Sequence, residues 1–573
     1  MENTTILHLS NYTAKDAKKG DKFLGPWCDP LKFFKDQKDF LCDTHIPQQK
    51  IKEKFVEGNK IFDLILDELI ISLNKYHSKK YSNSFWILML SNWLTLVIDT
   101  LNFYYNCLYY ANSMNVSYRA NIDESYFFNK LSDVFRFEYK NEYIHSLISF
   151  LIKHGNFENI SFSEQAITEN KDTLTAGQDP IKSFLFGLFK RSKAKKLSYG
   201  IAGMSRLDIV RLFYKSRDYS QSFKNYNTNY NCNVPERNKF TFHIESSDNF
   251  ISLLCKFIEK NLPTTVLDNL SLLIENSNDY INKEIIIASS GLYHDEQLIE
   301  LALAKELNNA IIFQVHEAGN GLDKYSSSSK YLYRPIDFYL TWGFTEHTGY
   351  SKKFIPSPSR LSTKKNIHKE KFESILYFTK FPYMYPNRYD SGKITNWNKY
   401  FNNRVKFIKT INNTQYKNQL ILKMHHSKVK GFDEEKIMQI YDCRYNNYNN
   451  KNLKISNTAI LYVDYLSASI YEAMAYNVPV FMCIDYDIQT PTEGINDMLK
   501  KFKEIKIAFD TPDAAAMHIE NIYKDRVKFW NSREVQNVRE KFMERYLLTS
   551  PDWIGSTFDT INRIHSMESR NFK

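Results

Sequence analysis

The stretch Ala459–Cys483, AILYVDYLSASIYEAMAYNVPVFMC, narrows the choice of fold more than any other part of the chain. It reads as a short apolar strand, a loop through Asp464, Tyr465 and Leu466, a helix opening at Ser467-Ala-Ser469, and a second apolar strand from Pro479 to Cys483. Strands that are apolar along their whole length are buried on both faces, the situation of sheets covered by helices on each side. Some forty residues earlier Leu420–Met424 is another such strand, and it runs directly into His425 and His426. In sheets of this kind the chemistry collects at the carboxyl ends of the strands. The first backbone N–H groups of a helix lack partners and carry the positive end of its dipole, so a helix starting at Ser467 and Ser469 is a ready anion site. The plain alternative is a serine cap, with Glu472 near the first turn complementing the dipole. Two strand-end clusters in successive units, Lys423-Met-His-His and the serine pair, point instead to one crevice that a phosphate fits.

The same pattern recurs upstream. Glu284–Ser290 is a buried strand, Asp295–Leu307 a helix with Asp295 as its cap, and Ala310–Val315 the next strand. That strand ends in Gln314-Val-His316-Glu317-Ala-Gly319-Asn-Gly321, which sets an imidazole, a carboxylate and a glycine-rich loop at a carboxyl edge. Glycines let a backbone approach a ligand closely, and His316 or Glu317 is the type of group that takes a proton from a hydroxyl. The plain alternative is a loop without chemistry. Phe338–Phe344 suggests a further strand, and Ile355–Ser362, IPSPSRLS, a linker. Ser374–Lys380 opens a second half as a strand ending in Thr379 and Lys380. Helices follow at Trp397–Ile411, Glu434–Tyr441 and Gly494–Lys503, then a strand at Ile505–Phe509 and a helix start at Thr511-Pro512-Asp513. Before residue 284 the apolar periodicity is near 3.6, as in Lys50–Tyr110, Glu142–His154 and Asn249–Glu275. The expected fold is therefore α/β, with two Rossmann-like domains facing a cleft and a large helical N-terminal portion. Residues 1–355 form the first domain (helical over 50–275, α/β over 284–345), 356–545 the second, and 546–573 a helix packing back on the first half.

At 573 residues the chain is too long for one core. Its 43% hydrophobic and 25% charged residues are those of a soluble globular protein, and its 15% aromatic content is high. A net charge of +11 favours anionic partners: nucleic acid, an anionic membrane leaflet or a charged nucleotide. No nucleic-acid motif is present, and the densest basic run, Lys190–Lys196, reads as a solvated loop, so no nucleic-acid partner is expected. The Asn- and Tyr-rich segments Arg217–Asn238 and Tyr445–Asn452 read as loops. Seven cysteines, odd in number and without a CxxC pair, suit a reducing compartment and argue against zinc. Asp485-Tyr-Asp487 has the spacing of a metal-binding acidic pair but reads as a turn, so no metal is expected. The N-terminus has no apolar signal region. Phe85–Ile98 is too short and too interrupted to cross a membrane, which needs about twenty apolar residues, and reads as a core helix. The expected location is the cytoplasm, with peripheral contact at the inner membrane face.

Four stretches carry a resemblance. FLGPWC at 23–28, FWILMLSNWL at 85–94, IIFQVHEAGNG at 311–321 with FYLTWGF at 338–344, and VDYLSASIYEAMAYNVPVF at 463–481 together resemble a family of transferases encoded in bacterial O-antigen and surface-polysaccharide loci. The order of strand, His, later Ser pair and Glu is also similar to that of bacterial sialyltransferases and Kdo transferases. The resemblance implies a GT-B architecture and a glycosyltransferase moving a CMP-activated nonulosonic or Kdo-like acid onto a surface glycan or lipid-linked glycan. It implies that His425, with Lys423 nearby, and Ser467 and Ser469 hold the donor phosphate, that Glu472 lies near the nucleotide ribose, and that Thr379 and Lys380 line the same crevice. It requires no cofactor beyond the nucleotide-sugar donor. This chain departs from the family's Gln-His-Gly-Gly type loop, having Gln314-Val-His316-Glu317-Ala-Gly319, and from a His-Pro pair, having His425-His426-Ser427. Inversion and retention of the sugar's configuration stay open. Two other functions fit: a nucleotide-sugar epimerase or hydrolase of the same fold, and a noncatalytic glycan- or nucleic-acid-binding protein using the aromatic and basic surface.

Overall fold

Every strand pair among the described residues is parallel. The computed structural model describes residues 5–571 except 44–45, 126–127, 139, 167–193, most of 199–236, 278–281, 289–293, 317–321, 323, 326, 348–352, 362–371, 381–383, 387–388, 390–395, 424–433, 442–445 and 448–453. A first sheet holds β1 (Thr5–His8), β2 (Lys22–Phe23), β3 (Tyr118–Ile122) and β4 (Ile160–Glu164), in the order β2-β1-β3-β4. A second holds β5 (Lys196–Ser198), β6 (Tyr219–Gln221), β7 (Ile285–Ala288), β8 (Ile311–Val315), β9 (Phe338–Thr341) and β10 (Phe354–Pro356), in the order β10-β9-β8-β7-β5-β6. A third holds β11 (Ile375–Phe378), β12 (Leu420–Lys423), β13 (Asn446–Asn447), β14 (Ile460–Val463) and β15 (Val480–Met482), in the order β13-β12-β11-β14-β15. The fold is α/β, as the strand–helix alternation predicts. β7 and β14 have all four side chains buried, the burial that parallel strands between two helix layers require.

The helix Asn83–Asn112 organises the N-terminal half. Its composition and 30-residue length would let it cross a membrane, yet 89% of its most apolar window is buried inside the protein, so it is a core helix. Ser82 caps it, accepting from Phe85 N–H at 3.3 Å. It packs against the helices Gln48–Tyr76 and Asp295–Asn308. The one charge buried in its middle, Asp99, meets Lys330 Nζ at 3.2 Å, which offsets the cost of taking both out of water.

Several elements differ from the sequence reading. β6 and β13 lie in the Asn- and Tyr-rich segments Arg217–Asn238 and Tyr445–Asn452 read as loops, and β10 overlaps the Ile355–Ser362 segment read as a linker, because strands of two or three residues carry too little apolar pattern to be seen. Ile505–Phe509 is not a strand: the preceding helix ends at Glu504, Lys506 has a positive φ of 57°, and only Met482 and Ala508 pair. Asp295 does not cap its own helix. It is fully buried and accepts from Leu131 N–H at 2.7 Å, Ser132 N–H at 3.3 Å and the Thr265 hydroxyl, so it closes the start of the 3-10 helix Leu131–Glu138. The first sheet was not separable from the helical portion around it. β2 is two residues long, and β4 leaves Ser161, Phe162 and Glu164 exposed, so neither presents an apolar run.

The helix Trp553–Asn571 lies on the second sheet, where Trp553, Ile554, Phe558, Ile561 and Ile564 cover Ile285, Ile287, Phe313, Val315 and Leu340. On the way there the chain pairs with residues before the third sheet, Ser359 N–H donating to Leu548 C=O at 2.7 Å.

Candidate functional site

Numbered from β11, the third sheet has the order 3-2-1-4-5, which places its topological switch point between β11 and β14. Ligands of doubly wound sheets bind in the crevice outside the carboxyl ends at that point. The ladder sets Phe378 level with Lys423 on one side and with Val463 on the other, so the loops leaving β11 and β14 start side by side. The first carries Thr379 and Lys380, the second Asp464, Tyr465, Ser467 and Ser469. Thr379 N–H donates to Lys423 C=O at 3.2 Å, Tyr465 Oη to Thr379 C=O at 3.5 Å, and the Lys380 ammonium stands 5.8 Å from the centre of the Tyr465 ring.

Ser467 takes the N-cap position of the helix Ala468–Tyr476 with extended backbone, but its side chain makes no cap bond. Its Oγ lies 2.5 Å from Ser469 Oγ, and both residues are buried. Ser467 therefore leaves the first turn of a helix that starts at the switch point uncapped, which keeps its positive end turned to the crevice. Lys423 and Glu472 interact across the same edge. Burial pulls the Lys423 ammonium below its ordinary range, with Glu472 opposing, and burial raises the Glu472 carboxyl, opposed by Arg360 and Lys423. Arg360 comes from the segment read as a linker, and the proline- and serine-rich sequence around it gave no sign of a site.

Beneath the crevice lies a buried polar network that sequence reasoning missed. Tyr400 Oη accepts from Lys380 N–H at 2.9 Å and from Arg404 Nη2 at 2.8 Å, and donates to Lys380 C=O at 2.9 Å. One hydroxyl thus holds both backbone groups of Lys380. Arg404 is fully buried, ion-paired with Glu434, and also reaches Lys380 C=O at 3.3 Å. On the other loop Tyr377 Oη donates to Asp464 Oδ2 at 2.5 Å, and burial pushes the Asp464 carboxyl up to about 6. Gln489, just after β15, accepts from Leu466 N–H at 2.7 Å and donates to Asp464 C=O at 3.3 Å. Both walls are held by this network, in which Arg404 Nε, Glu434 Oε1 and Asp464 Oδ1 are buried without a hydrogen-bond partner among the described residues.

The carboxyl edge of the second sheet meets this one. His316, directly after β8, is 2% exposed; its Nδ1 lies 3.0 Å from Tyr339 Oη, and its ring packs edge-on to Trp342, Phe344 and Tyr471 of the Ser467 helix. Burial holds its imidazole neutral, pulled down to about 3. Lys324 N–H donates to Thr490 C=O at 2.7 Å and Thr492 N–H to Leu322 C=O at 2.9 Å. Between the two edges a cavity of about 380 Å³ is lined by Lys324, Glu346, His347, Glu493 and Arg545 among others, cations and carboxylates together. The structure therefore brings Thr379, Lys380, Lys423, Ser467, Ser469 and Glu472 to one carboxyl edge, with His316 across the seam. Glu317 and His425 lie outside the described residues. Asp485 and Asp487 are both ion-paired with Lys399, and Asn403 donates to Asp485 at 2.8 Å. Among the described residues no group of three or more His, Cys, Asp or Glu side chains gathers to hold a metal.

A family model described as LIC12162 family transferase matches residues 8–561. No curated protein matches the chain. Among solved structures it is similar to the pneumococcal O-GlcNAc transferase GtfA in complex with UDP and GlcNAc, at 10% identity, covering 48% of this chain and 58% of that one with a TM-score of 0.27. It is also similar to the spinosyn forosaminyltransferase SpnP (8% identity, 52% and 80% covered, TM-score 0.29) and to the spinosyn rhamnosyltransferase SpnG complexed with thymidine diphosphate (8%, 48% and 75%, TM-score 0.24). The chain thus spans less than two thirds of GtfA and more of the other two. The fold assignment rests on the strand order given above.

Proposed function

Since the chain belongs to the LIC12162 family of transferases, we propose that it is a glycosyltransferase that moves a nucleotide-activated sugar onto a hydroxyl of a bacterial surface glycan. The observation that carries this reading is the convergence, at the switch point of a Rossmann-ordered sheet, of two lysines and an open-ended helix bearing two serines. Phosphate is the group such a crevice holds. The helix start and the Ser467 and Ser469 hydroxyls take the donor phosphate, Lys423 and Lys380 offset its charge, and that positive surround stabilises the departing nucleotide as its bond to the sugar breaks. Glu472 is assigned to the ribose. His425 joins the phosphate group in this proposal.

The donor we favour is a CMP-linked nonulosonic or Kdo-like acid, whose carboxylate adds a second negative charge for the basic crevice to meet. The acceptor, a glycan or lipid-linked glycan, enters from the seam between the second and third sheets. The group that takes its hydroxyl proton is assigned to the end of β8, His316 or Glu317. As placed, His316 is sealed by Trp342, Phe344 and Tyr471, so in this role it acts with the seam parted. The proposed setting is the cytoplasmic face of the inner membrane, with no metal required.

Donor consumption decides the matter. With a CMP-linked nonulosonic acid as donor, release of CMP that depends on added lipid-linked glycan is the expected result. Release at the same rate without acceptor assigns the protein to hydrolysis instead.

A further inference from the structure

The last turns of the helix Asn83–Asn112 carry two tyrosines on one face, Tyr105 and Tyr109, with ring centres 6.4 Å apart and planes 28° from parallel. Tyr105 is fixed between Phe157 at 5.8 Å and Phe250 at 5.5 Å. Tyr109 stands beside it 63% exposed, so its ring is open to a ligand. The two rings form one wall of a depression of about 300 Å³, whose rim is made by Asn156, Asn249, Ser252 and Lys256 with His154 at its end. None of these residues lines the crevice or the seam cavity.

We propose that this depression binds a short stretch of glycan, apart from the donor crevice. The ligand class follows from the lining. Tyr105, held by its neighbours, and the exposed Tyr109 offer flat apolar faces that match the C–H face of a pyranose. The rim supplies two amides and a hydroxyl, groups that both donate and accept as sugar hydroxyls do. The two lysines here are Lys256 on the rim and Lys260, hydrogen-bonded to His154 at 3.1 Å. They stand beside Glu124, which lies 3.2 Å from His154, and near Asp248, which adds to burial in raising the Tyr105 phenol. That is too little net positive charge for a nucleic-acid backbone. The volume is that of a small-molecule pocket, roughly 300 Å³ or above. The proposal leans on the glycosyl-transfer reading only in naming glycan as the natural ligand, since a polymer held here would keep an acceptor on the enzyme.

The test is a titration of the full-length chain with maltotetraose, cellotetraose and chitotetraose, followed by saturation-transfer NMR, beside a CMP titration of the same samples. At least one tetrasaccharide is expected to bind at millimolar concentration. Tyr109→Ala should raise its Kd about tenfold or more, and Asn249→Ala severalfold. CMP affinity and the thermal midpoint should be unchanged in both, since both side chains are exposed, so loss of CMP binding would count against the crevice and not against this site. The proposal is overturned if no tetrasaccharide binds, or if Tyr109→Ala binds as the parent does. It is equally overturned if the variant loses only co-sedimentation with anionic phospholipid vesicles, which would make Tyr109 a membrane contact.

Discussion

Ser467 stands where a helix cap belongs and turns its hydroxyl to Ser469 instead, and the difference between a structural and a binding serine lies in that choice. A charged hydrogen bond is worth about 1.5–3 kcal/mol, so the pair has enough to govern phosphate affinity. Asp464 gives a prediction that needs no ligand. Burial pushes its carboxyl up to about 6, above the roughly 3.9 of an exposed aspartate. Between those values the folded chain keeps a proton that the unfolded chain has released, so its contribution is fully present below about pH 4 and is lost as pH rises through 6. Urea unfolding near pH 5 and near pH 7.5 should show the parent losing roughly 1 kcal/mol more over that interval than Asp464→Asn; equal losses would remove Asp464 as the source. His316 has the opposite sign. Its imidazole, pulled down to about 3, contributes stability above its ordinary value that is lost as pH falls from about 6.5 towards 3. At this scale Thr379, Lys380, Lys423, Ser467 and Ser469 were legible because each follows a recognisable apolar run. Arg360, Tyr400 and Arg404 were not, because nothing in a linker or an amphipathic helix tells which residues will turn under a neighbouring loop.

The helix Trp397–Asn412 acts as the support of the crevice. Its Tyr400 makes all three of its hydrogen bonds to the Lys380 backbone and Arg404, so Tyr400→Phe leaves the Lys380 N–H without this partner and its C=O with Arg404 alone at 3.3 Å. The expected cost is about 1–3 kcal/mol in chemical denaturation, with weaker nucleotide binding because the Lys380 loop is released. An unchanged midpoint would show that the loop is held by other means. Elements were readable in proportion to how much apolar surface they bury. β7, β8, β11, β12 and β14 announce themselves, whereas β1 to β4 do not: β2 and β4 are edge strands, and the interior β1 (TILH) and β3 (YRANI) are only partly buried and interrupt their apolar residues with polar ones. The Ile505–Phe509 run misled because its apolar residues fill a turn behind β15 and only one of them pairs.

At the level of the whole molecule, two parallel sheets turn their carboxyl edges towards one seam, and the helix Trp553–Asn571 returns from behind the third sheet to cover the second. Phe558 is buried in that contact, and Phe558→Ala should cost about 3–5 kcal/mol, read as a lowered unfolding midpoint. A loss below 1 kcal/mol would mean that the helix is not part of the cooperative unit. The α/β class and the position of the crevice could be inferred from sequence because strand order follows the alternation of runs and helices. How the two edges close on His316 could not, since that depends on contacts between residues more than a hundred positions apart, such as His316 with Tyr471. The central claim is that the third sheet's switch point holds the phosphate of a nucleotide, and calorimetric titration of CMP, UDP and GDP into the parent and into the Ser467→Ala, Ser469→Ala double variant tests it directly. The account predicts that a nucleotide binds the parent, CMP foremost, and binds the variant about tenfold or more weaker. Absence of binding by all three nucleotides, or equal affinity in the two proteins, would contradict it.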